Sequence, residues 1–331
     1  EVINYAMDYG FIIFIWTFAI LMPPIVGGAF RAEGDIKRAT LPIAITAIVN
    51  MILDPIFIYG IGWGISGAAL ATGLAPILGL MMMLYWIFIK KDTYLSYNKE
   101  DFHNDFSIYK DILAVGIPAS LEQLIMAALA VTVNFMLTLV SGSIAVAVYT
   151  AGWRLISLGL LPAIGVGTAA ITVSGVAYGA KKYENIRTAL RYSAKLGLAS
   201  SIVVCILLYV FANQLAFIFS YSEASAPLLP LIAAFIQLMC LFILYVPFGA
   251  SAGNVFQGLG KGTTSFILTT FREFVLVLIF AYLLGFVFNM GETGIYYGML
   301  LGGFIGSVIA YAYIEIYVDR LIKGKIEGSK I

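Results

Sequence analysis

The chain has 331 residues, of which 61% are apolar and only 11% charged, with mean hydropathy +0.97 and a formal net charge of +1. A soluble domain carries about 25% charged residues, so too little polar surface exists here to clothe a water-soluble core. Soluble enzyme, nucleic-acid binder and disordered scaffold are therefore poor readings, and the composition is that of an all-α polytopic membrane protein.

A membrane helix needs about 20 largely apolar residues. Nine stretches meet that length, at 5–30, 41–61, 65–89, 112–140, 144–176, 195–219, 227–255, 264–288 and 294–318, so nine transmembrane helices are expected. The fourth and fifth are long enough to tilt, kink or protrude. Short turns join neighbours, among them Ser141-Gly142-Ser143 and Asn289-Met290-Gly291. The polar segment 90–111 reads as a linker between a first part, 1–89, and a second, 112–319, with a tail at 320–331. Cys205 and Cys240 sit in apolar runs and read as plain hydrophobes. The single histidine, His103, lies in the polar linker without a second ligand nearby, so neither metal nor other cofactor is expected.

Seventeen of the nineteen basic residues fall in alternate loops and the tail, which nine spans place on one side. The remaining two, Arg154 and Arg272, lie inside spans. By the positive-inside rule the C-terminus is cytoplasmic and residue 1 faces outward. Within the basic loops, Lys181–Lys195 is expected to lie as a helix on the membrane surface.

Two landmarks recur at nearly one offset. Phe30-Arg31-x-x-Gly34 returns as Phe256-Gln257-x-x-Gly260 after 226 residues, and Gly67 as Gly294 after 227. Spans 1–3 thus read as a copy of spans 7–9, pointing the same way through the bilayer, in the manner of parallel transporter repeats. If one repeat is six helices, three counterparts belong before residue 1, and the chain reads as the last nine helices of twelve.

A charge inside a span costs roughly 2.5–3.5 kcal/mol on insertion scales, which makes each one a functional candidate. Asp54 is the sharpest, because Thr46, Asn50 and Asp54 recur every four residues as one polar stripe. Pro55 follows and cannot donate to the carbonyl of Met51. The alternative is an interfacial acid bonded to backbone near the outer surface. Glu122 and Arg272 lie at matched depths, about 15 and 12 Å from the cytoplasmic side, and could pair. Glu273 should point about 100° away from its neighbour Arg272. Such a pair serves either a cavity or the bundle itself. Gln123, Ala127, Ala130 and Asn134 make a small, polar face suited to a cavity or a tight helix contact, of which packing is favoured, and Gly298, Gly302 and Gly306 make a packing ridge.

These blocks resemble the multidrug and toxic compound extrusion (MATE) family. The resemblance rests on Phe30-Arg31-Ala32-Glu33-Gly34-Asp35, on Asn50-x-x-Leu53-Asp54-Pro55-x-Phe57-Ile58, on Gly67-Ala68-Ala69-Leu70-Ala71 and on Gly116-Ile117-Pro118-Ala119-Ser120-Leu121-Glu122-Gln123. It implies two six-helix lobes in a V, exporting amphipathic, often cationic compounds across the plasma membrane in exchange for H⁺ or Na⁺. In the DinF-like, proton-coupled branch it implies a coupling cluster matching Asn50, Asp54 and Thr72. Some sodium-coupled members carry an acid where this chain reads Leu244-Tyr245-Val246-Pro247-Phe248, and its lack favours protons. The expected partners are the bilayer and small organic cations, without nucleic acid, for a monomer. The rivals are a flippase of lipid-linked sugars, an inactive fragment and a membrane-embedded enzyme. The enzyme is disfavoured because one histidine and scattered acids make no catalytic constellation.

Overall fold

The computed structural model describes residues 2–94, 105–221 and 225–324, and the described chain is helical nearly throughout. It divides into two compact units, Glu1–Asn104 and Asp105–Ile331. His103 and the rest of positions 95–104 of the polar 90–111 segment lie outside the described residues. The last six positions of that segment belong to a helix, which begins at Phe106 with the Asp105 carboxylate accepting from the Ser107 N–H at 2.9 Å.

The first unit holds α1 (Val2–Ile15), α2 (Thr17–Ala32), α3 (Ile36–Pro55) and α4 (Gly64–Leu84). α3 and α4 run on into π turns at Ile56–Gly60 and Tyr85–Lys90. α1 and α2 meet at 52°. The bend falls at Trp16, whose ring lies against Gly73 so closely that a Cβ there would stand 2.4 Å from it. The loop after α4 is tied back by Asp92, which binds Arg38 at 2.6 Å and Lys90 at 2.8 Å. The Lys90 hydrogen bond, aided by the Arg38 charge, holds the Asp92 carboxyl below its ordinary range.

The second unit holds α5 (Phe106–Gly179), α6 (Tyr183–Val210), α7 (Ala212–Phe217), α8 (Leu229–Gly258), α9 (Gly262–Thr269), α10 (Val277–Tyr282) and α11 (Gly291–Ile322). A straight helix of α5's 74 residues would run about 110 Å against a hydrocarbon core of about 30 Å. It does not run straight. Gly142 takes φ 71° and ψ −158°, which breaks the helix. Val115 lies against Gly262, and Gly175 lies against Gly258, so both ends of α5 return to one side of the unit. With α5 counted as two and the bent α1–α2 pair as one, the described residues make nine crossings. α9, α10 and the π turns Thr270–Leu276 and Leu283–Val287 form a single span, Gly262–Val287.

Two apolar clusters fill this unit, one around Leu137, Ile156, Ile236 and Met239, the other around Ile186, Leu190, Phe256 and Ile314. Between their levels on α11 stand Gly302, Gly303, Gly306 and Ser307, all buried. Arg272 and Ser307 meet there, and Ser193 donates to Ser251 at 3.0 Å between α6 and α8. The core is thus layered, with polar groups between two dry ends.

The internal repeat holds down to single backbone bonds. Phe30 and Phe256 are fully buried, and each accepts from the amide five residues on, Asp35 and Lys261, at 2.9 Å. Gly34 and Gly260 follow at φ 84° and 73°, a helix ending that favours glycine. Ile61 bonds back to Ile56 at 2.8 Å, and Phe288 to Leu283 at 2.9 Å, five residues each time, so the π turns correspond. Gly67 sits against the Phe57 carbonyl and Gly294 against the Leu284 carbonyl, with room for no Cβ. All these pairs share one offset of 226 or 227 residues.

One expected element is corrected. Lys181–Lys195 is not a separate surface helix, because α6 runs unbroken from Tyr183 to Val210. The segment holds no breaker, and Ile186, Leu190, Ser193 and Ala194 bury one face. Its arginines reach α11 instead, Arg187 to Asp319 at 2.7 Å and Arg191 to Glu315 at 2.8 Å.

Candidate functional site

α3 presents the polar stripe of the first unit. Thr46 Oγ1, Asn50 Nδ2 and Asp54 Oδ1 are each buried and without a hydrogen-bond partner, at successive turns of one face. Buried polar atoms are nearly always paired in proteins, so three orphans in a row make this face the candidate site of the first unit. Thr46 faces α4 at Gly79, where a Cβ would stand 2.6 Å from Thr46 Oγ1. Asp54 is followed by Pro55, which leaves the Met51 carbonyl without its usual donor, and then by the π turn. Polar side chain, proline and irregular helix coincide at one level of the span. Thr72 does not join this stripe by any hydrogen bond, because its hydroxyl donates to Ala68 O of its own helix at 2.9 Å.

Glu122 and Arg272 do not pair with each other. Glu122 Oε2 accepts from Gln257 Nε2 at 3.1 Å, Gln257 also donates to Ser265 Oγ at 3.4 Å, and Glu122 Oε1 is buried without a partner. Arg272 Nη1 instead binds Glu273 Oε1 at 2.8 Å, with both side chains more than nine-tenths buried. The expectation of a 100° separation fails because Thr270–Leu276 is a π turn. Its wider coil brings successive residues nearer around the axis, and the long arginine side chain closes the rest. The guanidinium lies in a cradle made by absent side chains: a Cβ on Gly249 would stand 2.4 Å from Arg272 Nη1, and one on Gly306 would stand 2.6 Å from its Cγ. Ser307 accepts a long hydrogen bond from Nη1 at 3.5 Å.

Gln123 is exposed, and Asn134 donates to Ala130 O of its own helix at 2.8 Å with its Oδ1 left unpaired. Ala127 and Ala130 between them are exposed, so among the described residues nothing packs on this face. The glycine ridge of α11 does pack, Gly298 against Ala281 and Gly302 against Leu276. Sequence reasoning missed Glu273 as the counter-ion of Arg272 and Gln257 as the donor to Glu122. Gln257 stood in the repeated motif, where it served only as a landmark.

An integral membrane protein of nine crossings, with a parallel internal repeat, irregular helices and polar groups at mid-span, has the architecture of secondary transporters. The MatE family model matches residues 118–283, half of the chain, and the chain belongs to that family. It is 24% identical over 304 residues to the probable multidrug resistance protein NorM of Thermotoga maritima, covering 91% of this chain and 64% of that protein. To the multidrug export protein MepA of Staphylococcus haemolyticus it is 25% identical over 333 residues, covering 98% of this chain and 70% of that one. A crystal structure of MATE in complex with MaL6 superposes with TM-score 0.94 at 33% identity, covering 98% of this chain and 72% of that one. The chain thus spans roughly two thirds of the length of the relatives it matches.

Proposed function

We propose that this protein exports amphipathic, often cationic compounds across the cell membrane in exchange for protons, with Asp54 as the coupling carboxylate. The stripe of unpaired polar atoms on α3 carries this reading. Ionised, Asp54 only accepts hydrogen bonds; protonated, it also donates, which changes the partners open to Asn50, Thr46 and the Met51 carbonyl. That exchange takes place beside Pro55 and a π turn, where the helix is least constrained. A proton biases a conformational equilibrium only by its differential affinity for the two states, and a buried carboxylate whose partners change supplies such a difference. Asn50, one turn from Asp54 and with its Nδ2 unpaired, is placed to donate to the carboxylate in one of the two states, and Thr72 stands on the neighbouring helix α4 with its hydroxyl on Ala68 O. In the second unit Glu122 and Gln257 offer a polar surface to substrate, while Arg272 is neutralised by Glu273; Arg154 on α5 is the in-span cation left exposed and without an ion pair among the described residues. The relatives named as multidrug resistance and export proteins support the substrate class.

The test is efflux of a fluorescent organic cation from cells stripped of their own pumps, with proton and sodium gradients collapsed in turn. Asp54→Asn should insert normally and lose coupled efflux. Normal efflux by that variant would remove Asp54 from the mechanism. Efflux abolished only by loss of the sodium gradient would replace the proton as coupling ion.

A further inference from the structure

The second unit carries a groove that the transport reading does not use. It lies between α8 and α11, encloses about 820 Å³, and is walled by Leu244, Phe248, Leu301, Phe304, Tyr311 and Ala312 among others. One turn further along α11 lies a hollow of about 380 Å³ lined by Arg187, Glu315, Asp319, Arg320 and Lys323. A hydrocarbon core of about 30 Å takes about 20 residues of helix, so a groove ending at Ala312 and charges beginning at Glu315 fall either side of a headgroup boundary. The charges do not cancel. Arg187, Arg191, Arg320 and Lys323 face Glu315 and Asp319, with Glu184 also in the field of Arg191, which leaves one positive charge over. Arg320 is exposed, with no carboxylate within ion-pair distance among the described residues, and Arg187 Nε is buried without an acceptor.

We propose that this face binds an anionic phospholipid from the leaflet on the basic side of the membrane. Its phosphate lies between Arg320, Lys323 and Arg187, and one acyl chain runs along the aromatic groove towards Phe304. The surplus of positive charge selects an anionic headgroup over a zwitterionic one. The groove selects a lipid over a free phosphate, because an apolar wall of this size adds affinity only for a chain that fills it.

The purified full chain in detergent, titrated with phosphatidylglycerol, phosphatidylcholine or glycerol 3-phosphate and read by native mass spectrometry, tests this. Two basic contacts at a membrane surface predict roughly thirtyfold tighter binding of phosphatidylglycerol than of phosphatidylcholine. Arg320→Gln/Lys323→Gln should erase that preference, and Ala312→Phe should weaken both lipids by filling the groove. All three positions are exposed, so the variants keep the fold, and Arg320→Gln alone should lose part of the preference. Equal binding of the two lipids to the unaltered protein, or a preference that survives the double variant, would overturn the proposal. Glycerol 3-phosphate binding as tightly as the lipid would overturn it as well, making the site one for free phosphate.

Discussion

Asp54 and Arg272 are both charged residues within spans, yet their surroundings assign them opposite parts. Asp54 has an unpaired oxygen on a stripe of unpaired atoms, whereas Arg272 is closed on itself by Glu273, two glycines and Ser307. A buried ion pair that loses one partner leaves an uncompensated charge, at a cost of about 3–5 kcal/mol. Glu273→Gln should therefore lower the thermal midpoint of the detergent-solubilised protein by several degrees. Arg272→Met/Glu273→Leu, which removes both charges, should recover most of that loss; a double variant as unstable as the single one would contradict the assignment. The polar stripe was legible because four-residue spacing survives any helix packing. The Arg272–Glu273 pair was not, because a π turn changes the angle between neighbours and nothing in Thr270–Leu276 announces one. Gln257 was hidden for a different reason: its contact with Glu122 joins residues 135 positions apart, which no single-chain spacing encodes.

At the scale of elements, glycines set how closely the helices approach. Gly67 and Gly294 each press on the carbonyl of the preceding span, at repeat-related positions. Gly294→Ala would put a Cβ 2.5 Å from Leu284 O, on backbone that cannot rotate aside. Forced overpacking of this kind costs about 1–3 kcal/mol, so Gly294→Ala should lower thermal stability, while Gly116→Ala, with open space around it, should not. An unchanged midpoint for Gly294→Ala would refute this account of the contact. The repeat was visible in the sequence at only two landmarks, since its other correspondences are backbone geometries that many side chains satisfy. The basic segment at the start of α6 misled for a related reason: lysines and arginines mark the membrane boundary, but not whether a helix turns there or runs on. In the first unit, the Asp92 latch gives a pH signature. Its folded value is depressed, so its contribution is present above the ordinary aspartate value of 3.8 and is lost as pH falls through the lower folded one. The ¹³C shift of the Asp92 carboxyl should titrate below 3.8 and move upward in Arg38→Gln. A midpoint at or above 3.8 in the unaltered protein would show that the latch does not form.

For the molecule as a whole, composition alone decided the solvent, and hydropathy located the apolar helices long enough to cross a membrane. Those quantities are averages over many residues, which is why local irregularities such as the Trp16 bend or the π turns did not disturb them. The chemistry was less legible, because it depends on which few polar atoms lack partners once the helices are packed. The central claim is that a proton moving on and off Asp54 drives export. Its most direct test is efflux of a fluorescent organic cation by the unaltered protein and by Asp54→Asn, under an imposed proton gradient and again after its collapse. The account predicts efflux that depends on the gradient in the first and is absent in the second at equal membrane abundance. Efflux that persists in Asp54→Asn, with its dependence on the gradient intact, would contradict it.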